Sequence, residues 1–378
     1  MKKIIFLISV FSLLLTACFA VDGITDDSIR VGMCNALTGP TSALGQGIMT
    51  GASVYFDNIN NAGGINGRKI VLISKDDGYE PANTVPNTNE LIDKENVFVL
   101  FGYVGTPTSK AAVPIATVAG VPFIAPFTGA EAFRNPVNKY VFNVRASYYD
   151  ETEVMVNYLV NNGYKKIGFF GQNDSYGDAG KAGVMKALKK RKMQLFGDAR
   201  YARNTVEVDD ALTQLRVENP DAVIMVGAYK PCAAFIKKAK AAGMNWAFVN
   251  ISFVGTKELL AELGSDKENV MITEVVPVPY ETDSIPLVQS YRAAMTAAGQ
   301  QDKINFTSFE GYIDAMVLVE GLKKAGKDMD RDSFIAAMES ISDLDIGGLK
   351  IGFSPTNHQA LDYVILTKVI DGKLQQIK

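Results

Sequence analysis

Short apolar runs alternate with segments of helical periodicity along nearly the whole chain. In the first half these runs are "IRVGMC" from Ile29, "KIVLIS" from Lys69, "VFVLFG" from Val97, "VPFIAP" from Val121 and "YVFNV" from Tyr140. The second half repeats the rhythm with "KKIGFFG" from Lys165, "AVIMVG" from Ala222, "WAFVNIS" from Trp246 and "VMITEVV" from Val270. Runs this short, rich in β-branched and aromatic residues, read as strands buried on both faces. Strands alternating with helices imply a parallel sheet covered on both sides, and two such series imply two doubly wound α/β lobes. After "VMITEVV" the pattern predicts helices near Pro286 to Ala298 and Thr307 to Ala325, a charged helix, and then a C-terminal strand pair, "GLKIGFSP" and "LDYVILTKV". A strand pair after three helices implies that the chain crosses between the lobes more than once.

One junction joins two local signals. In "VFVLFGYVGTPTSKAA", Val97 to Phe101 reads as a buried strand, Thr106 suits a helix N-cap, Pro107 the first helical position, and Thr108 and Ser109 the first turn. Several N–H and hydroxyl donors therefore lie off a strand's carboxyl end, where sheets of this type bind ligands. Leu37 to Pro81 reads as a loop, a helix with Ile48, Ala52, Tyr55 and Ile59 on one face, a stop at Gly63 and Gly64, an Asn66-Gly67 turn and a strand.

At 378 residues and 47% apolar content the chain is long enough for two cores. "MKKIIFLISVFSLLLTACFA" has two lysines, an apolar run too short to span a bilayer and a small-residue end, the form of an export signal. Two processing readings compete: cleavage after Ala20, which we favour, and a lipoprotein box "LTAC" ending at Cys18. Removing residues 1–20 leaves 36 basic against 41 acidic residues, a formal charge of −5. A mildly acidic chain is a poor partner for nucleic acid. The basic run "KALKKRKM" from Lys186 has helical spacing and reads as a solvated face. Cys34 and Cys232 read as small buried residues rather than a disulfide pair.

Catalytic patterns are missing. The sequence holds one histidine, His358, in a turn-like "SPTNHQ" that reads as solvent-facing, and no nucleophile elbow, metal-spaced cluster or P-loop. In "KDDGYEP", Asp76 and Asp77 are adjacent at a strand's end; neighbours on a strand point to opposite faces, so a loop-capping role fits them better than an acid–base pair. Neither an enzyme nor a cofactor or metal site is expected.

The unit Leu37 to Pro81, followed by "GYVGTPTS", "IAPFTGAEAFR", "FNVRASYYDE", "QNDSYGDAG" and "VGAYKP", resembles the leucine/isoleucine/valine-binding family of extracytoplasmic solute receptors that serve ABC importers. The resemblance implies a type I periplasmic binding protein, two α/β lobes joined by three hinge crossovers near Arg145 to Tyr149, Glu274 to Pro279 and Gly352 to Leu361. One lobe would comprise residues 21–147 and 277–355, the other 148–276 and 356–378. It further implies a monomer in the periplasm, closing on a small carboxylate and presented to a membrane permease. Carried over by residue, Thr106 and the amides near Gly105 would hold the carboxylate, with a second set from Phe127, Thr128 and Gly129. Tyr176 and Tyr229 would close over the ligand from the other lobe.

The departures point away from a plain branched-chain amino acid. Where amino-acid receptors of this family offer a glutamate to the ligand ammonium, this chain has Ser252 or Phe253, leaving Asp150 as the candidate counter-charge. Tyr79 and Gly105 stand where some members carry a disulfide. The ligand is therefore an amino acid or a related small carboxylate with an apolar or aromatic body. The same fold also serves ligand-sensing subunits that present the closed form to a membrane signalling receptor.

Overall fold

A computed structural model describes residues 22–280 and 285–377. The export signal, its cleavage point and Cys18 lie outside the described residues. The first lobe opens with β1 (Ser28–Asn35), α1 (Ser42–Asn61), β2 (Lys69–Asp76), α2 (Pro81–Asp93), β3 (Val99–Phe101), α3 (Thr106–Val118), β4 (Phe123–Ile124) and β5 (Val141–Phe142). Its five strands are all parallel, in the order β2-β1-β3-β4-β5.

The chain then enters the second lobe through α4 (Tyr148–Asn161), β6 (Ile167–Gln172), α5 (Ser175–Lys190), β7 (Leu195–Tyr201), α6 (Asp209–Glu218), β8 (Ala222–Val226), α7 (Tyr229–Ala241), β9 (Ala247–Asn250), α8 (Thr256–Leu263) and β10 (Met271–Glu274). It returns to the first lobe with α9 (Pro286–Ala297), α10 (Phe306–Ala325), α11 (Arg331–Glu339) and the short pair β11 (Leu344–Asp345) and β12 (Lys350–Ile351). It ends in the second with β13 (Ile365–Ile370) and β14 (Lys373–Ile377). The second sheet runs β14-β13-β10-β9-β8-β6-β7, parallel except where β13 pairs with β10 and β14.

Sequence chemistry explains the layering. Every residue of β3 and β8 is buried, as a strand covered by helices on both faces requires. α10 returns to pack on α1, and glycines permit the contact: a Cβ at Gly51 would overlap the Ser308 carbonyl, and one at Gly311 the Ile48 backbone.

The expected C-terminal pairing is corrected. "GLKIGFSP" contributes β12, which pairs with β11, whereas "LDYVILTKV" contributes β13, which joins the second sheet. His358 is not solvent-facing: it is 2% exposed, its ring is stacked 4.0 Å from Phe142, and its nitrogens meet Val141 O at 2.9 Å and Glu339 Oε1 at 3.2 Å. Asp76 accepts from the Leu37, Thr38 and Gly78 amides and Asp77 from the Tyr79 amide, so both tie down loops. Cys34 and Cys232 are both free and buried.

The passages between lobes lie side by side. Asn143 N donates to His358 O at 2.8 Å, while Ala360 N and Leu361 N donate to Asn143 O and Val144 O at 2.9 and 3.1 Å. The first passage occupies 143–147, two residues earlier than expected, because Tyr148 and Tyr149 already belong to α4.

Candidate functional site

The loops leaving β3 and β4 form the first lobe's wall of the cleft. The N-cap of α3 is Gly105 rather than Thr106, at φ 104°, a conformation that favours glycine; a Cβ there would also strike the Tyr79 ring. Thr106 thus opens the helix, and its Oγ1 lies 2.6 Å from Thr128 Oγ1, whose other neighbours are Tyr148 OH at 3.3 Å and the Ala130 amide at 3.2 Å. Some expected donors are already engaged: Gly105 N–H donates to Phe127 O, Phe127 N–H to Tyr103 O and Thr128 N–H to Pro126 O. The Gly129 N–H and the Thr106 and Thr108 amides remain for an anion, which the Thr106 and Thr128 hydroxyls can meet by giving up their bond to each other.

The facing wall is aromatic. Tyr176 lies in the first turn of α5 behind the Asp174 N-cap, and its ring centroid lies 4.6 Å from that of Phe253 and 5.6 Å from that of Tyr148. Phe253 also meets Phe127 at 5.2 Å and Tyr79 at 6.1 Å, so rings of both lobes converge on it. Tyr229, the first residue of α7, turns its hydroxyl to Ser42 and Ala43 at the start of α1. The lobes are pressed together in this structure. Arg203 pairs with Glu80 at 2.8 Å and Asp174 at 3.1 Å, and Asn204 Nδ2 donates to Gly78 O at 3.1 Å.

Beneath the rings lies a buried charge cluster that sequence reasoning missed. Arg145 donates to Ser252 Oγ, its Nη2 is 3.6 Å from Glu151, its Nε is 3.4 Å from Glu310, and its guanidinium carbon sits 4.6 Å over the Phe127 ring. Glu151 accepts from Ser252 N at 2.9 Å, Ser252 Oγ at 3.0 Å and Thr273 Oγ1 at 2.6 Å. Burial pushes Glu310 up to about 7, with Arg145 opposing the shift. Burial also holds Glu274 and Asp314 well above the usual carboxylate range.

Asp150 does not face this cluster. Its Oδ2 accepts from Ser147 N at 2.9 Å, Ser147 Oγ at 2.7 Å and Gln359 Nε2 at 3.1 Å, completing the capping box of α4. The counter-charge expected of Asp150 is therefore corrected to a helix cap, and the neighbouring Glu151 is the acid beside Arg145 and Ser252. Among the described residues no group of histidine, cysteine and acidic side chains has metal-site geometry.

The family model described as "Periplasmic binding protein" matches residues 28–373. A Rhodopirellula baltica SH 1 structure described as a possible leucine/isoleucine/valine-binding protein is similar at 38% identity, covering 96% of this chain and 98% of that one, with a TM-score of 0.89. A Pseudomonas aeruginosa "Leucine-, isoleucine-, valine-, threonine-, and alanine-binding protein" is 22% identical over 84% of each chain. A Brucella melitensis "Leu/Ile/Val-binding protein homolog 3" is 25% identical over 92% of each.

Proposed function

The chain belongs to the periplasmic binding protein family, to the leucine/isoleucine/valine-binding type of solute receptor, and from that premise we propose that it captures a small carboxylate for an ABC importer. It is not an enzyme. The carboxylate lies on Thr106, Thr128, the Gly129 amide and the start of α3, and its apolar or aromatic body lies among Phe127, Tyr176, Tyr229 and Phe253. The supporting observation is the Thr106–Thr128 hydroxyl pair, 2.6 Å apart and buried at a helix N-terminus, facing aromatic rings supplied by the other lobe. The protein is exported, and no helix of the described residues is long and apolar enough to cross a membrane. Ligand closes the lobes by binding the closed form more tightly than the open one, and the permease receives the closed form.

Native mass spectrometry of protein purified without denaturation tests this reading. We expect a small carboxylic acid that leaves on unfolding and whose return lowers the radius of gyration in small-angle scattering. Protein that binds no branched-chain or aromatic acid, amino or otherwise, would falsify the carboxylate reading. Binding with an unchanged radius would defeat the closure.

A further inference from the structure

We propose that the cleft selects a carboxylic acid bearing an adjacent oxygen acceptor, a 2-oxo or 2-hydroxy acid with an apolar or aromatic body, in place of a 2-amino acid, and that Arg145 receives that oxygen. This rests on the carboxylate reading above and deepens it. Arg145 is 2% exposed, yet neither Nη1 nor Nε has a hydrogen-bond partner. A guanidinium presents five N–H donors, and buried donors are almost always paired. Its neighbours explain why these stay open. Nη2 is taken by Ser252 Oγ, the Glu310 contact at Nε lacks hydrogen-bond geometry, and the carbon is fixed over the Phe127 ring.

The Arg145 charge also acts on the Tyr148 hydroxyl, which accepts from Thr128 Oγ1 at 3.3 Å, and that contact ties the guanidinium to the hydroxyls assigned to the carboxylate. An acceptor on the carbon next to the carboxylate falls within reach of the open donors; an ammonium there would meet a charge of its own sign. The acids near it are engaged. Glu151 is filled by Ser252 and Thr273, Glu274 accepts from Thr256 Oγ1 and Asp150 serves the α4 cap; Glu310 stands 3.4 Å from Nε, so Nη1 is the donor with no acid beside it. The rings of Tyr79, Phe127, Tyr176 and Phe253 supply the apolar surround.

The test is titration calorimetry of the full mature protein, freed of co-purified ligand by unfolding and refolding, with two matched pairs: 4-methyl-2-oxopentanoate against leucine, and phenylpyruvate against phenylalanine. We expect the oxo acid of at least one pair to bind tenfold or more tighter than its amino partner. Arg145→Met should remove most of that selectivity, lowering oxo-acid affinity at least tenfold while amino-acid affinity changes less than threefold. Amino acids binding as tightly as or more tightly than the oxo acids overturns this inference and leaves the carboxylate reading standing. Silence from all four probes overturns both. Undiminished selectivity in folded Arg145→Met removes Arg145 from its role, and the wild-type comparison decides the ligand class even where that variant fails to fold.

Discussion

Arg134 and Arg145 are both buried, lie on either side of β5 and differ in almost everything their donors do. Arg134 gives Nε to Gln359 Oε1 at 2.7 Å, Nη1 to the Thr128 and Ala130 carbonyls and Nη2 to the Arg145 and Ala146 carbonyls. Its partners are neutral and belong to the loop after β4 and to the passages between lobes; burial and the nearby Arg145 lower its pKa to about 10. Arg145 has acids of both lobes beside it, one hydroxyl partner and two nitrogens with none. A fully used guanidinium is a fastener. An incompletely used one has donors to spare, the basis of the role proposed for Arg145. Burial alone does not distinguish them; donor accounting does.

The sharpest way to break this contrast is to remove the fastener. Arg134→Met strands several buried carbonyls at once and should cost about 3 to 5 kcal/mol in urea unfolding. Arg145→Met leaves Glu310 and Glu151 without their cation, so its cost should be larger at pH 8 than at pH 5, where protonation neutralises them. A cost independent of pH would remove the distinction.

The wild-type protein carries a related pH signature. Glu310 has an ordinary value of 4.5 and a folded value of about 7, so the folded state binds the proton more tightly. Its contribution is fully present below pH 4.5 and is lost as pH rises through 7. Glu310→Gln should flatten that decline by at most about 3 kcal/mol, read from urea midpoints across this range. An unchanged slope would mean that Glu310 stays ionised.

On the cleft wall, Thr106→Val keeps the side chain's size and deletes the hydroxyl assigned above to the proposed carboxylate. A lost hydrogen bond to a charged group is worth roughly 1.5 to 3 kcal/mol, so calorimetric affinity should fall by about one to two orders of magnitude. Asp150→Asn touches only a fastener. It should cost about 1 kcal/mol of stability through the α4 cap and leave affinity within about twofold. A larger loss of affinity would restore Asp150 to the cleft.

Which features the sequence makes legible follows the range of the interactions behind them. Strands buried on both faces announce themselves through composition, and the nine quoted apolar runs overlap the observed β1 to β6 and β8 to β10, the edge strand β2 among them. β7, "LFGDARY", is mixed in polarity because it lies at the sheet edge, and β14, "KLQQI", is an exposed edge partner of β13; neither carries that signal. The loops holding Thr106, Thr128, Tyr176 and Phe253 are visible because strand ends are local. Arg145 is different, since its pairing with Glu310 joins residues far apart in sequence and only the fold brings them together. Asp150 was misread although the answer was local: Ser147 and Asp150 have the spacing of a capping box, which outranks a distant ligand. His358 looked exposed because its neighbours are turn formers, while burial came from Phe142 and Glu339 in other elements.

The laced passages at 143–147 and 357–361 have a mechanical consequence. Two strands cross-linked by the amides of Asn143, Ala360 and Leu361, and gripped by His358 against Phe142, resist sliding past one another. Shear is stiff in such a ribbon and bending across its width is soft. For the closure proposed above, such a ribbon favours one rotation over sliding, so the bound ligand would be read as a single angle between the lobes. A permease that gauges that angle could do so from the outer surface without touching the ligand.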